Sequence, residues 1–310
     1  MSSGLLPELQ FARFLKIGKL CIQAWMIHSV NLCGKIWFKL CSRPKDISCS
    51  TVKIKGYQDS NVEILIYSPK GLTDDAPCLV YYHGGAFFLG DFPMIHTLCF
   101  EYARAAKCRV AFVRYTLSIT RPFPGPIEDC YSALEWISDH ATELKIDPKR
   151  IAVGGDSAGG CISAVVSQMA RDRHGPHICF QMLIYPVIDN TQSLPSAKNM
   201  TDAPITHPRL VRKMWQIYLR DMKNSSLPYS CALRTESFKD LPPAFIEVED
   251  LDSLKDEGIF YSHCLSKAGV PVQLVQMKGT FHAFDIFVGK QVTKLAVKNR
   301  VKALKAAFRK

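Results

Sequence analysis

Residues 151–160 read Ile-Ala-Val-Gly-Gly-Asp-Ser-Ala-Gly-Gly, an apolar β-like run that breaks into a glycine-rich turn ahead of a helical stretch from Ala158 to Arg171. A serine at the tip of so sharp a strand-to-helix turn has its hydroxyl pushed out of the sheet. Small residues must flank it, because a larger side chain would meet the neighbouring strand or helix. Ser157 is therefore a candidate nucleophile. The five letters Gly-Asp-Ser-Ala-Gly also fit an ordinary tight turn with an incidental serine, so the assignment depends on what the rest of the chain supplies.

Working outward, apolar stretches alternate with helical ones. A hairpin is predicted from Val52–Lys55 and Val62–Tyr67 around Asp59-Ser60-Asn61, followed by strands at Cys78–Tyr82, Arg109–Arg114, Phe180–Tyr185, Ala244–Val248 and Val270–Gln276. Helices are expected at Cys99–Lys107, Glu128–His140, Leu254–Ala268 and Gln291–Phe308. This rhythm predicts an α/β fold built from βαβ units on a largely parallel sheet. Two regions stand apart. Residues 1–50 have helical spacing (Phe11, Phe14, Leu15, Cys21, Ile22, Trp25, Leu32, Cys33, Ile36, Leu40) with breaks at Gly18 and Gly34. Residues 189–241 have a helical pattern at Leu210–Leu219 and no clear strand. The expected organisation is an N-terminal helical cap segment (1–50), a first core part (51–188), a cap insertion (189–241) and a second core part (242–310).

The 310 residues are 47% hydrophobic with mean hydropathy near zero, which describes a globular chain with a substantial core. No run of eighteen apolar residues occurs, and the N-terminal apolar run lacks a convincing cleavage site. Twelve cysteines without paired spacing read as reduced, mostly buried thiols, and a cytoplasmic location is expected. The net charge of +11 is concentrated at the ends: residues 1–55 carry +7 and residues 288–310 carry +8, leaving the body at −4. A nucleic-acid enzyme would gather its bases around the chemistry, so nucleic acid is not an expected partner. The basic ends are candidates for weak peripheral contact with an anionic membrane, through Lys16, Lys19, Lys35 and Lys39 with Trp25 and Trp37, and through the lysines from Lys290 to Lys310. The competing reading is a pair of amphipathic helices packed on the body with their lysines in solvent.

An activated serine needs a base, and the base needs a carboxylate to fix its tautomer. Downstream of Ser157 stand His174, His177, His207, His263 and His282. The first two follow the nucleophile helix too closely, His207 falls in the insertion and His263 within a helix. His282, in Gly279-Thr280-Phe281-His282-Ala283-Phe284 just past the last strand, is the expected base. The acid is sought after the preceding strand, among Glu249, Asp250 and Asp252. Asp252 is favoured as far enough along to turn toward His282, although it could instead cap the following helix. His83-Gly84-Gly85-Ala86, directly after Cys78–Tyr82, offers consecutive backbone amides. Those of Gly84 and Gly85, with that of Ala158, are expected to form an oxyanion hole. His174 and His177 lack a further ligand, so neither metal nor cofactor is expected.

Taken with Pro122-Phe123-Pro124, Glu128-Asp129, Asp147-Pro148, Leu241-Pro242-Pro243-Ala244 and the run from Asp252 to Gly258, these motifs resemble the hormone-sensitive-lipase-like family of α/β-hydrolase fold serine esterases over Cys78–Phe284. The resemblance implies an eight-stranded, mostly parallel sheet flanked by helices, a helical cap, and metal-independent hydrolysis of carboxylic esters with short to medium acyl chains. It assigns Ser157, Asp252 and His282 to the triad and Gly84, Gly85 and Ala158 to the oxyanion hole. Amide or N-acetyl hydrolysis by the same triad is an alternative, and so is a non-catalytic receptor for a small ligand. Ala86 replaces the third glycine of the family's motif. Arg114-Tyr115-Thr116-Leu117-Ser118-Ile119-Thr120 stands where the family has Asp-Tyr-Arg-Leu-Ala-Pro-Glu. That segment buttresses the active-site loops in the family, so the departure bears on their support and not on the triad itself.

Overall fold

A computed structural model describes residues 4–14, 23–222 and 227–309. One sheet of eight strands organises the chain: β1 (Ile47–Lys55), β2 (Asn61–Pro69), β3 (Ala76–Tyr82), β4 (Arg109–Arg114), β5 (Ile146–Asp156), β6 (Phe180–Ile184), β7 (Ala244–Glu249) and β8 (Val272–Met277). Their spatial order is β1-β2-β4-β3-β5-β6-β7-β8. The β1–β2 hairpin and the β2–β4 pair are antiparallel, and every other pairing is parallel. β3, β6 and β7 are buried along their whole length, because parallel strands carry helices on both faces and lose the alternation of a half-solvated sheet. β1, at the edge, is mostly exposed or half-buried.

The helices are α1 (Ala24–Leu40), α2 (Pro93–Ala106), α3 (Gly125–Asp139), α4 (Ala158–Asp172), α5 (Pro195–Asn199), α6 (Pro208–Tyr218), α7 (Lys255–Lys267) and α8 (Gln291–Ala307). A 3₁₀ helix, Pro7–Phe14, precedes them and places Leu9 and Ala12 against Phe281, Phe284 and Ala296. The predicted helices at Cys99–Lys107 and Glu128–His140 start earlier than expected, at Pro93 and Gly125. Proline in the first turn has no N–H to waste there, so it opens each helix and does not break the chain before it. β1 begins at Ile47, inside the span expected to be helical to residue 50, because Ser48-Cys49-Ser50-Thr51 carries no apolar period to read. The positions Leu15, Lys16, Gly18, Lys19, Cys21, Ile22 and Lys310 lie outside the described residues.

Residues 189–241 contain α5, α6 and turns, with no strand among the described residues. Eleven described cysteines are free thiols. No described helix is long and apolar enough to cross a membrane.

Candidate active site

β5 and α4 meet at Ser157, which takes φ 55° and ψ −116°, a conformation an L-residue holds only under constraint. The constraint is visible. The Ser157 N–H donates to the Ile184 carbonyl at 2.9 Å, and the Ser157 carbonyl accepts from Val187 N at 3.1 Å. A Cβ on Gly159 would collide with the Tyr82 carbonyl oxygen, so α4 lies against the end of β3 only because residue 159 is glycine.

Two segments deliver the partners. The turn after β8 brings His282 Nε2 to 2.8 Å from Ser157 Oγ. The loop after β7 brings Asp252 Oδ2 to 2.7 Å from His282 Nδ1. A carboxylate only accepts, so Nδ1 holds the imidazole proton and Nε2 is left to accept from the serine hydroxyl. Asp252 is 1% exposed and its other oxygen accepts from Thr206 Oγ1 at 2.6 Å and from Leu254 N at 2.9 Å. Asp252 thus takes the histidine and the Leu254 N–H of the turn ahead of α7, whose N-cap is Leu254 without a side-chain cap bond, so the alternative of a helix-capping Asp252 is not what the fold uses. Of its rivals, Glu249 hydrogen-bonds Thr280, and Asp250 takes Gln276 Nε2 and Gly279 N. His207 accepts from Arg209 N at the start of α6.

The oxyanion expectation needs one correction. The Gly84 N–H donates to Asp156 Oδ1 at 3.0 Å and is therefore not free for a ligand. Asp156 also takes the Tyr81 hydroxyl at 2.8 Å. Burial, and then the nearby Asp285, push its carboxyl up to about 6. The amides of Gly85, Ala86 and Ala158 have no protein acceptor among the described residues. Gly85 has φ +106° and Ala86 φ +54°, so the chain turns through left-handed backbone here. Alanine suffices at 86 because that region tolerates a small Cβ at modest cost.

Residues 114–120 brace this turn with partners of their own. The Tyr115 hydroxyl donates to the His83 carbonyl at 2.8 Å, and Ser118 N donates to the Phe87 carbonyl at 2.8 Å. Arg114 reaches Asp91 Oδ2 at 2.6 Å and Glu63 Oε2 at 2.6 Å, and Asp91 bonds His96 at 2.6 Å. Burial alone would raise the Asp91 carboxyl, but the His96 hydrogen bond, the neighbouring imidazoles and Arg114 hold it well below the usual carboxylate range. Arg220 Nη1 donates to the Ser118 carbonyl at 2.9 Å. The loop after β4 is therefore supported by a different ion cluster, and the triad distances are those of a closed relay.

Several positions had no sequence signal. Thr206 lies 46 residues from the acid it orients, inside the strandless insertion. Tyr185, at the end of β6, packs its ring 4.7 Å from that of His282 and donates to Asp285 Oδ1 at 2.6 Å. Asp285 in turn holds Arg300 Nη1 at 2.6 Å. Phe87 stacks on Tyr218 of α6 at 4.0 Å, so the insertion meets the oxyanion turn at one end and the acid at the other.

Glu257 is fully buried and accepts from Ile188 N and Asp189 N, both at 2.8 Å, on the loop that follows the nucleophile's supporting strand. Burial, with Asp189 and Asp252 adding, pushes its carboxyl up to about 8. A raised folded-state pKa means the folded protein binds the extra proton, so stability falls as pH rises from the unfolded value through about 8. Glu257→Gln keeps an acceptor and removes the titration. Denaturant midpoints at pH 5 and pH 8 should show this variant losing less stability across the interval than the wild type, by on the order of a few kcal/mol. Parallel losses would show that Glu257 is not the titrating group.

Sheet order, nucleophile turn and relay together define an α/β-hydrolase fold. A family model described as alpha/beta hydrolase fold matches residues 79–286, and the chain belongs to that family, which includes the hormone-sensitive-lipase-like esterases. The chain is 40% identical over 228 residues to Esterase LipI of Mycobacterium tuberculosis, covering 72% of this chain and 71% of that protein. It is 38% identical over 240 residues to Carboxylesterase NlhH of the same species, covering 76% and 75%. A solved structure titled Bacterial Heroin Esterase superposes with a TM-score of 0.88 at 31% identity, covering 99% of both chains.

Proposed function

We propose that the protein is a serine carboxylesterase that works through an acyl-enzyme. Ser157 Oγ attacks the ester carbonyl as His282 Nε2 takes its proton. The oxyanion is received by the amides of Gly85, Ala86 and Ala158, with Gly84 acting one step back by fixing the turn to Asp156. His282 returns the proton to the leaving alcohol, and water repeats the sequence on the acyl-enzyme. Asp252 holds the imidazole in place throughout and Thr206 orients it. Residues 189–241, with the N-terminal segment, serve as a cap over this site.

One observation carries the reading: the uninterrupted Ser157–His282–Asp252 relay, at 2.8 Å and 2.7 Å. A receptor that had abandoned catalysis would have no use for a base held in one tautomer beside a strained serine. The names of the relatives, esterase and carboxylesterase, support the ester as substrate.

A panel of p-nitrophenyl esters from acetyl to dodecanoyl, with the matching anilides, tests this. Turnover is expected on the short and medium acyl esters, with the anilides slower by at least about a hundredfold, since the amine leaves less readily. Turnover of the anilides at the ester rate would make the protein an amide hydrolase, and turnover of neither would return the receptor reading.

A further inference from the structure

α1 has two apolar sides, and only one of them packs against the described residues. Its inner side holds the oxyanion loop. Ile27 is buried, Asn31 donates to the Phe88 carbonyl at 3.0 Å and accepts from Gly90 N at 2.9 Å, and the Phe38 ring lies 4.1 Å from that of His96. Its outer side presents Trp25, Leu32, Ile36, Trp37 and Leu40, from 49% to 79% exposed. At 100° per residue these five fall in one arc of roughly 140°. Six of the eleven exposed large hydrophobics among the described residues lie on this helix, while Phe11, Phe260, Leu274, Val288 and Leu295 are scattered elsewhere. A contiguous apolar face of this kind marks an interaction site.

Charge identifies its occupant. Residues 9–45 carry seven Lys/Arg and no Asp or Glu. Lys35 and Lys39 lie along one margin of the apolar arc, where an interfacial helix carries its cations. A second copy of the same face would bring like charge against like. Two tryptophans, which favour the boundary between headgroup and acyl chain, complete the pattern. The C-terminal helix, equally basic, does not share it: α8 buries Val292, Ala296, Leu304 and Phe308 follows it into the core, leaving mainly lysines outward.

We propose that the protein docks on anionic phospholipid surfaces through the outer face of α1. Docking in this orientation sets the helix between the bilayer and the loop 84–90, so the candidate site works beside the lipid surface. This goes beyond the esterase reading and is measured without hydrolysis, so either can fail alone.

The test is co-sedimentation of the full chain with equimolar phosphatidylcholine–phosphatidylglycerol vesicles and with pure phosphatidylcholine vesicles, at low and high salt. The wild type should bind the anionic vesicles at low salt and release from them as salt screens the lysines. The triple variant Leu32→Ser/Ile36→Ser/Leu40→Ser should partition at least about tenfold less. Lys294→Gln/Lys298→Gln on α8 should bind like the wild type. Absence of binding at low salt overturns the proposal, as does undiminished binding of the triple variant. A wild-type dimer that the triple variant dissolves, with no vesicle binding, would instead assign the face to a second copy. If the triple variant does not fold, quenching of wild-type tryptophan fluorescence by brominated phosphatidylglycerol decides, and its absence overturns the proposal.

Discussion

Ser157→Ala is expected to reduce kcat on p-nitrophenyl butyrate by on the order of 10⁶-fold, equivalent to about 8 kcal/mol of barrier, with little change in KM. The size follows from the geometry. Among the described residues His282 Nε2 hydrogen-bonds one hydroxyl, that of Ser157 at 2.8 Å, and its other nitrogen is committed to Asp252. Removing the hydroxyl leaves a base with nothing to deprotonate except water, and the residual rate then comes from binding and the free amides of the oxyanion turn. His282→Ala should cost about as much, because groups acting as one unit are not additive, so the double variant should be no slower than either single one. An additive double variant would mean that serine and histidine act in separate steps.

The second large effect is on the fold. Arg300 is fully buried on α8. It makes paired contacts with Glu247, meets Asp285 Oδ2 at 2.6 Å and donates to the Tyr102 hydroxyl at 2.9 Å. Arg300→Met removes the single cation from between two buried carboxylates and should lower stability by about 3–5 kcal/mol, because the anions are left without compensation. Denaturant midpoints at constant slope measure it. Because Asp285 stands three residues after His282 and holds Tyr185 against its ring, kcat should fall more than KM changes. Arg300→Lys, which keeps the charge and loses the fork, should recover part of both. A change of less than about 1 kcal/mol would show that hydrophobic packing alone seats α8.

How far the sequence reaches depends on the range of the interactions involved. The strand rhythm and the glycine-rich turn at 154–160 are local, and they give the α/β class and a candidate nucleophile that the turn by itself does not settle. That His282 and Asp252 lie beside Ser157 was legible through chain order, because each follows a strand that runs parallel to the one carrying the serine and ends at the same edge of the sheet. Gly84 was misplaced for a reason local reading cannot overcome: whether an amide is free depends on what lies opposite it, here Asp156, 72 residues away. Thr206, Tyr185 and Arg300 were invisible for the same reason, since each acts through a tertiary partner that no spacing reveals. Arg114 looked like a lost acid and is the centre of a replacement cluster with Asp91 and Glu63. The outer face of α1 shows the opposite case. Its apolar period was plain in the sequence, but only the fold separates the side that packs from the side that faces solvent.

The central claim is that Ser157 is activated by His282. The most direct measurement is covalent labelling by a fluorophosphonate, followed by peptide mass analysis. One label per chain on the peptide containing Ser157, lost in His282→Ala, is the predicted result. A wild-type protein that takes no label at Ser157, or a His282→Ala variant labelled at the wild-type rate, would contradict it.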